Sequence, residues 1–159
     1  MENGKEWILH LIDEATIFPA ACLINFKKKE VVVGRIFQLW IQYFGAPLKI
    51  HSDYGGEFCN SVMEEMNPKL GIETSTTSAS PFSKCIVERN NVVLYESIIK
   101  NIEDCKCGKS TALAWAVSGK HAFQNQGGYS PSCFLETMSI CHKLSQIYQL
   151  LLKPVHLVT

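Results

Sequence analysis

Two carboxylates, Asp53 and Glu88, have the surroundings best suited to chemistry in this chain. Asp53 lies in Ile50-His51-Ser52-Asp53-Tyr54-Gly55-Gly56-Glu57-Phe58, which reads as a short buried strand delivering an acid into a Gly-Gly turn. Glu88 lies in Ile86-Val87-Glu88-Arg89-Asn90-Asn91, near the start of a helical stretch. Carboxylates presented from a strand end and a helix can share divalent cations, which are what phosphodiester chemistry needs. Lys84 and Arg89 flank Glu88 as candidate phosphate contacts. The plainer alternatives are a turn-forming Asp before Gly-Gly, a solvated helical Glu beside Arg89, and ordinary surface cations.

The elements that must position these residues follow from the apolar pattern. Trp7 to Ile12 and Phe18 to Ile24 read as strands joined by the short polar connection Asp13-Glu14-Ala15-Thr16. Asp13 there fits a turn acid that bonds nearby backbone. His10 alternates with apolar neighbours and reads as a packed or hydrogen-bonded histidine, as does His51. Lys27-Lys28-Lys29 reads as a solvated turn. Glu30 to Phe44 repeats apolar residues near helical spacing, and Gly45 and Pro47 stop it. Pro47 to Ser52 is a strand. Asn60 is a candidate N-cap for a helix ending at Leu70, with Glu57 as a favourable acid nearby. Ile72 to Thr77 is β-prone and Ser78 to Lys84 reads as a loop. Helices are expected from Lys84 or Cys85 to about Glu103, from about Thr111 to Phe123, and briefly from Ser130-Pro131. Lys143 to Leu152 has a helical pattern. Strands alternating with helices indicate an α/β domain, in which ligands collect at the carboxyl ends of strands. Asp53 sits at such an end.

Composition narrows the function. The 159 residues suit one domain with a sizeable core. Fifteen basic and fifteen acidic residues leave no net charge, so the chain lacks the overall basicity of a free-standing DNA-binding domain. Nucleic-acid binding then requires a local patch, a metal-filled site or further domains. Seven irregularly spaced cysteines and a polar amino terminus fit reduced thiols in the nucleus or cytoplasm. Cys105-Lys106-Cys107 and Cys141-His142 lack the doublet spacing of a zinc site. No apolar run reaches the length of a membrane span.

Four sequence words in order resemble the catalytic core of retroviral and retrotransposon integrases. Trp7-Ile8-Leu9-His10-Leu11-Ile12-Asp13-Glu14-Ala15-Thr16 resembles that family's second strand. His51-Ser52-Asp53-Tyr54-Gly55-Gly56-Glu57-Phe58 resembles its second catalytic motif. Ser80-Pro81-Phe82-Ser83-Lys84-Cys85-Ile86-Val87-Glu88-Arg89-Asn90 resembles the third, and Gly128-Tyr129-Ser130-Pro131 a late motif of gypsy-type elements. The resemblance implies an RNase H-like fold, a mixed sheet flanked by helices, over residues 5–138, followed by a helical tail over 139–159. It also implies a magnesium-dependent polynucleotidyl transferase that cleaves and joins DNA ends and works as a homo-oligomer. Asp53 and Glu88 would be two members of a carboxylate triad that binds Mg2+.

The chain departs from that pattern in ways that bear on activity. The strand carrying the first triad Asp would fall before Met1, so the resemblance implies an amino-terminally truncated core lacking its central strand. Asp13 matches a non-catalytic Asp and does not replace the missing one. Tyr54 stands where the family usually has Asn, and Lys84-Cys85 where it has Asn-Gly. The Asp53–Glu88 interval is one residue short. Loss of the central strand is expected to leave two flanking strands without partners. The competing functional expectation is a catalytically inactive, transposon-derived module that binds nucleic acid or a protein partner.

Overall fold

Residues 6–52, 70–76, 81–123, 128–133 and 146–150 are described by the computed structural model. Strand β1 (Trp7–Asp13) pairs antiparallel with β2 (Pro19–Ile24), from Trp7↔Ile24 to Ile12↔Pro19. Pro19 begins an edge strand, where its missing N–H breaks no ladder. Between these strands, the Asp13 N–H donates to Phe18 O at 3.0 Å and the Ile17 N–H to Asp13 O at 2.8 Å. Ile17 closes this turn at φ 60, a costly conformation for a β-branched residue. It packs against Ile12 and Val87, and this contact offsets part of that cost.

Helix α1 (Lys29–Ile36) continues through a π-helical turn, Phe37–Ile41, into the short helix α2 (Gln42–Phe44). Glu30 in its first turn and Arg35 in its last complement the α1 dipole. Gly45, at φ 79, ends the run, and its N–H donates to Ile41 O at 2.9 Å. Strands β3 (Lys49–Ser52) and β4 (Glu73–Thr76) pair in parallel. Helix α3 (Pro81–Cys105) then runs for 25 residues and α4 (Lys109–Ala122) packs against it. Strand β5 (Gln146–Leu150) completes a five-stranded sheet of order β2-β1-β5-β3-β4.

Alternation along β1 sorts the core into two layers. Leu9 and Leu11 face α1 and pack with Val32, Ile36, Trp40, Ile50 and Ile72. Ile8 packs on the other face with Leu94 and Ile98 of α3 and Ala112, Leu113 and Ala116 of α4. Ile12 meets Val87 on that same side. Burying both faces of the sheet is the main source of stability, at roughly 1.5–3 kcal/mol for each large side chain removed from water.

Most elements expected from sequence are present, with bounds displaced by a few residues. Three expectations are corrected. Residues 146–150 form a strand, not part of a helical tail, and the sheet therefore extends past residue 138. The strands flanking the sheet's centre are also partnered: β5 pairs antiparallel with β1 and parallel with β3. A central position recruits a strand because it offers two backbone ladders, and this outweighs the weak local helical pattern of Lys143 to Leu152. Pro81 to Lys84, expected in a loop, belong to α3, which starts at Pro81 with proline in its first turn, and Ser78 to Ser80 lie outside the described residues. The helix expected from Asn60 to Leu70 lies outside the described residues except for Leu70.

Candidate functional site

Strand β3 ends at Ser52, and Asp53, the first candidate ligand, lies outside the described residues. Glu88, the second, is exposed in the second turn of α3. Its neighbour Val87 is 3% exposed and packs on Ile12. Burial of Val87 turns the adjacent position outward, because successive residues of a helix face different directions. Arg89 is exposed beside Glu88, and Lys84 lies in the first turn of the same helix.

The position of Glu88 depends on how α3 sits on β1. Val87, Asn91, Leu94 and Ile98 recur at helical spacing and form the stripe that meets the sheet. Asn91 is the polar member. The Nδ1 of His10 lies 2.7 Å from Asn91 Oδ1. That oxygen only accepts, so Nδ1 carries the proton and Nε2 has a lone pair. His10 is 2% exposed. Burial lowers its pKa to about 4, opposed by the Asn91 bond and helped by the charge on Lys120. The imidazole is therefore neutral at physiological pH. Its Nε2 is buried without a hydrogen-bond partner among the described residues.

Asn90 holds the same turn from the side. Lys120 Nζ, on α4, donates to Asn90 O at 3.1 Å and to Asn90 Oδ1 at 2.7 Å. Asn90 Nδ2 donates to Ile86 O at 2.9 Å. Burial lowers the Lys120 pKa to about 8. The next residue, His121, stacks on Phe18 with ring centroids 4.1 Å apart, and its Nε2 lies 2.7 Å from Pro19 O. Glu88 is thus followed by two asparagines, one fixed to the sheet and one to α4. Sequence reading did not anticipate this clamp. The adjacent Asn90-Asn91 pair within an amphipathic helix was its one visible signal.

Asp13 behaves as a turn acid. Its Oδ2 accepts from the Thr16 N–H at 2.8 Å and from Thr16 Oγ1 at 2.7 Å. It is 3% exposed, and burial raises its pKa against the pull of those bonds. A carboxylate this enclosed has one oxygen committed and is not presented to a solvent-borne cation or DNA. His10, likewise, is packed and hydrogen-bonded.

The mixed sheet with helices on both faces defines an RNase H-like fold, and comparison with known proteins agrees. The catalytic core domain of bovine immunodeficiency virus (BIV) integrase superposes with a TM-score of 0.72 and 25% identity, over 86% of this chain and 90% of that one. The HTLV-2 integrase catalytic core in complex with magnesium, in its trimeric form, gives 0.67 and 21%, over 80% and 83%. In sequence, the chain is 28% identical over 142 residues to the retrovirus-related Pol polyprotein from transposon 412 of Drosophila melanogaster. That match covers 89% of this chain, which spans about a tenth (10%) of the Pol polyprotein's length. No protein-family model matches the chain. The chain therefore has the fold of retroviral integrase catalytic cores and is similar in sequence to a retrotransposon Pol polyprotein. No helix among the described residues is long and apolar enough to cross a membrane.

Proposed function

We propose that this chain is an integrase-type core that acts on DNA, with Asp53 and Glu88 as ligands for Mg2+ and with Lys84 and Arg89 as phosphate contacts. The observation that carries this reading is the superposition on integrase cores across most of the chain, with Glu88 exposed on the helix that follows the β3–β4 pair. Ile50 packs in the α1 layer, so His51 lies on the opposite face of β3, the face that α3 covers through Val87 and Asn91. Asp53 follows that strand directly in sequence.

The donor chemistry suits a hard cation. Carboxylate oxygens are what magnesium takes, so Asp53 and Glu88 would hold the ion, which would supply Lewis acidity at a scissile phosphodiester. The protein's own part is to hold Glu88 in place through the Asn90 and Asn91 clamp, and to seat the phosphate backbone on Lys84 and Arg89. Magnesium-bound integrase cores occur among the structural neighbours in trimeric and dimeric forms. A homo-oligomer is proposed for this chain on that likeness.

A second reading is a non-catalytic nucleic-acid-binding or protein-interaction module derived from such an element. It is favoured by the central strand β5, Gln-Ile-Tyr-Gln-Leu, which brings no carboxylate to the middle of the sheet. Nicking and strand-transfer assays on duplex DNA ends with Mg2+ or Mn2+ separate the two. Metal-dependent products that vanish in Asp53→Asn and Glu88→Gln support the first reading. DNA binding without products, unchanged by those variants, supports the second.

A further inference from the structure

The strand at the centre of the sheet comes from the last described segment of the chain. Among the described residues, β5 is the only hydrogen-bonded link between the β2-β1 pair and the β3-β4 pair, because β1 and β3 each pair with β5 and not with each other. Its register runs Asp13↔Ile147 to His10↔Leu150 on one side and Lys49↔Gln146 to Ser52↔Gln149 on the other. Both sides are backbone ladders, which any strand of the right direction and register could supply.

We propose that the slot between β1 and β3 is a strand-exchange site, and that its alternative occupant is residues 146–150 of a second copy of this chain. Three observations carry this. First, β5 joins the preceding described helical turn, 131–133, only through residues 134–145. Such a stretch, extended, reaches at most about 40 Å, well beyond the roughly 15 Å radius of gyration of a domain this size. A neighbouring protomer's slot is therefore within range. Second, the slot cannot remain open. Its walls include Leu11, Ile12 and Ile50, all 1% exposed or less, and departure of β5 would expose two apolar strand edges at once. Refilling follows any opening, and whether it occurs from the same chain or another depends on concentration. Third, residues 146–150 carry no charge that would oppose insertion beside a second copy. Reciprocal exchange preserves each sheet hydrogen bond and closes a two-fold dimer, so the two states differ little in contact energy.

The test uses the full chain with the photo-crosslinking residue p-benzoylphenylalanine in place of Gln146, at the end of β5 opposite Lys49. Isotopically heavy and light preparations are mixed, partly unfolded, refolded together at high protein concentration, separated by size and irradiated. Mass spectrometry then identifies links between position 146 and the peptide containing Lys49. In the dimer fraction, about half of these links should join heavy to light chains, the statistical share for random reciprocal pairing. Unsubstituted chain refolded over a range of concentrations should show a dimer fraction that rises with concentration and decays slowly on dilution. Links confined to like isotopes, at any concentration, would overturn the proposal. So would a dimer whose heavy–light links fall outside β1 and β3. Neither readout depends on DNA or metal, so failure here is distinct from failure of the integrase reading.

Discussion

His10 and Asn91 are 81 positions apart in sequence, yet their side chains meet at 2.7 Å between β1 and α3. Around them the interface is apolar: Val87 on Ile12 at one end, and Leu94 and Ile98 against Ile8 at the other. A single polar pair in an apolar seam specifies register, because every slipped alignment leaves both partners buried and unpaired. Glu88 is three residues before Asn91, within one helical turn. Fixing Asn91 on His10 therefore fixes where Glu88 is presented.

Replacing one partner should cost more than replacing both. Asn91→Leu strands the His10 Nδ1–H in the core and should destabilise the protein by about 2 kcal/mol, the desolvation of an unpaired buried donor. The double variant His10→Leu/Asn91→Leu removes donor and acceptor together and should fall within about 1 kcal/mol of the parent. Denaturant unfolding of the parent, the single variants Asn91→Leu and His10→Leu, and the double variant gives the coupling directly. Additive single-site losses would show that the pair does not act as a unit.

The same histidine predicts an acid-side loss of stability. Its folded pKa is lowered to about 4 from 6.5. Between these values the unfolded chain binds a proton that the folded chain refuses, so stability falls as pH drops. The contribution is complete above about pH 6.5, declines through the window, and levels off below about pH 4. For so buried a ring the full span is about 3 kcal/mol. Unfolding free energies measured from pH 7 to pH 4 should show this slope in the parent and a flatter profile in His10→Leu/Asn91→Leu.

The parts legible in the sequence are those set by local pattern. Alternation from Trp7 to Ile12 identified β1, and apolar spacing from Glu30 to Phe44 identified the first helical run. Both lie close to their expected bounds. The π-helical turn at Phe37–Ile41, which contains the buried Trp40, left no sequence mark. Residues 146–150 were illegible for a different reason. Leu144, Ile147 and Leu151 are spaced as on a helix, and only the vacancy between β1 and β3 makes a strand the better outcome. At the site, the helix that carries Glu88 was visible. Its clamp was not, because Asn90 and Asn91 draw their partners from α4 and β1 across 30 and 81 positions.

Asp13 gives a stability prediction on the opposite sheet face. Its carboxylate binds both the N–H and the hydroxyl of Thr16 and so ties the β1–β2 turn. Asp13→Ala should cost about 2–3 kcal/mol through loss of two hydrogen bonds to a charged group. Thr16→Ser keeps both donors and should cost less. Because burial raises the Asp13 pKa, the folded chain takes up a proton there before the unfolded chain does. Asp13 therefore adds stability as pH falls toward its unfolded value, opposing the His10 slope. Asp13→Asn should make the acid-side loss steeper, as measured by unfolding from pH 7 to pH 4.

Trp40 reports on the α1 layer. It is 1% exposed and contacts Phe18 edge-on at 6.2 Å and Phe44 at 4.6 Å between ring centroids. Trp40→Ala removes the largest fully buried side chain among the described residues and should destabilise by about 3–5 kcal/mol. Trp40→Phe keeps an aromatic ring in the cluster and should lose less than half of that. It also removes the indole N–H, which has no hydrogen-bond partner among the described residues, and this offsets part of the lost packing. A Phe variant as unstable as the Ala variant would mean that ring size, not aromatic burial, governs this layer.

The proposed phosphate contacts make a prediction in salt. If Lys84 and Arg89 each neutralise one phosphate, the logarithm of DNA affinity should fall linearly with the logarithm of salt concentration. Lys84→Ala and Arg89→Ala should each make that slope shallower by about 1. The loss should be similar for DNAs of unrelated sequence, because a phosphate contact carries no base information. Arg89→Lys should restore most of the slope, since the counterion-release effect depends on charge and not on the guanidinium fork. Fluorescence anisotropy on labelled duplexes between 50 and 200 mM salt would measure all three variants. A slope unchanged in Arg89→Ala would assign that side chain to the solvated face of α3 and leave Lys84 as the phosphate contact to test.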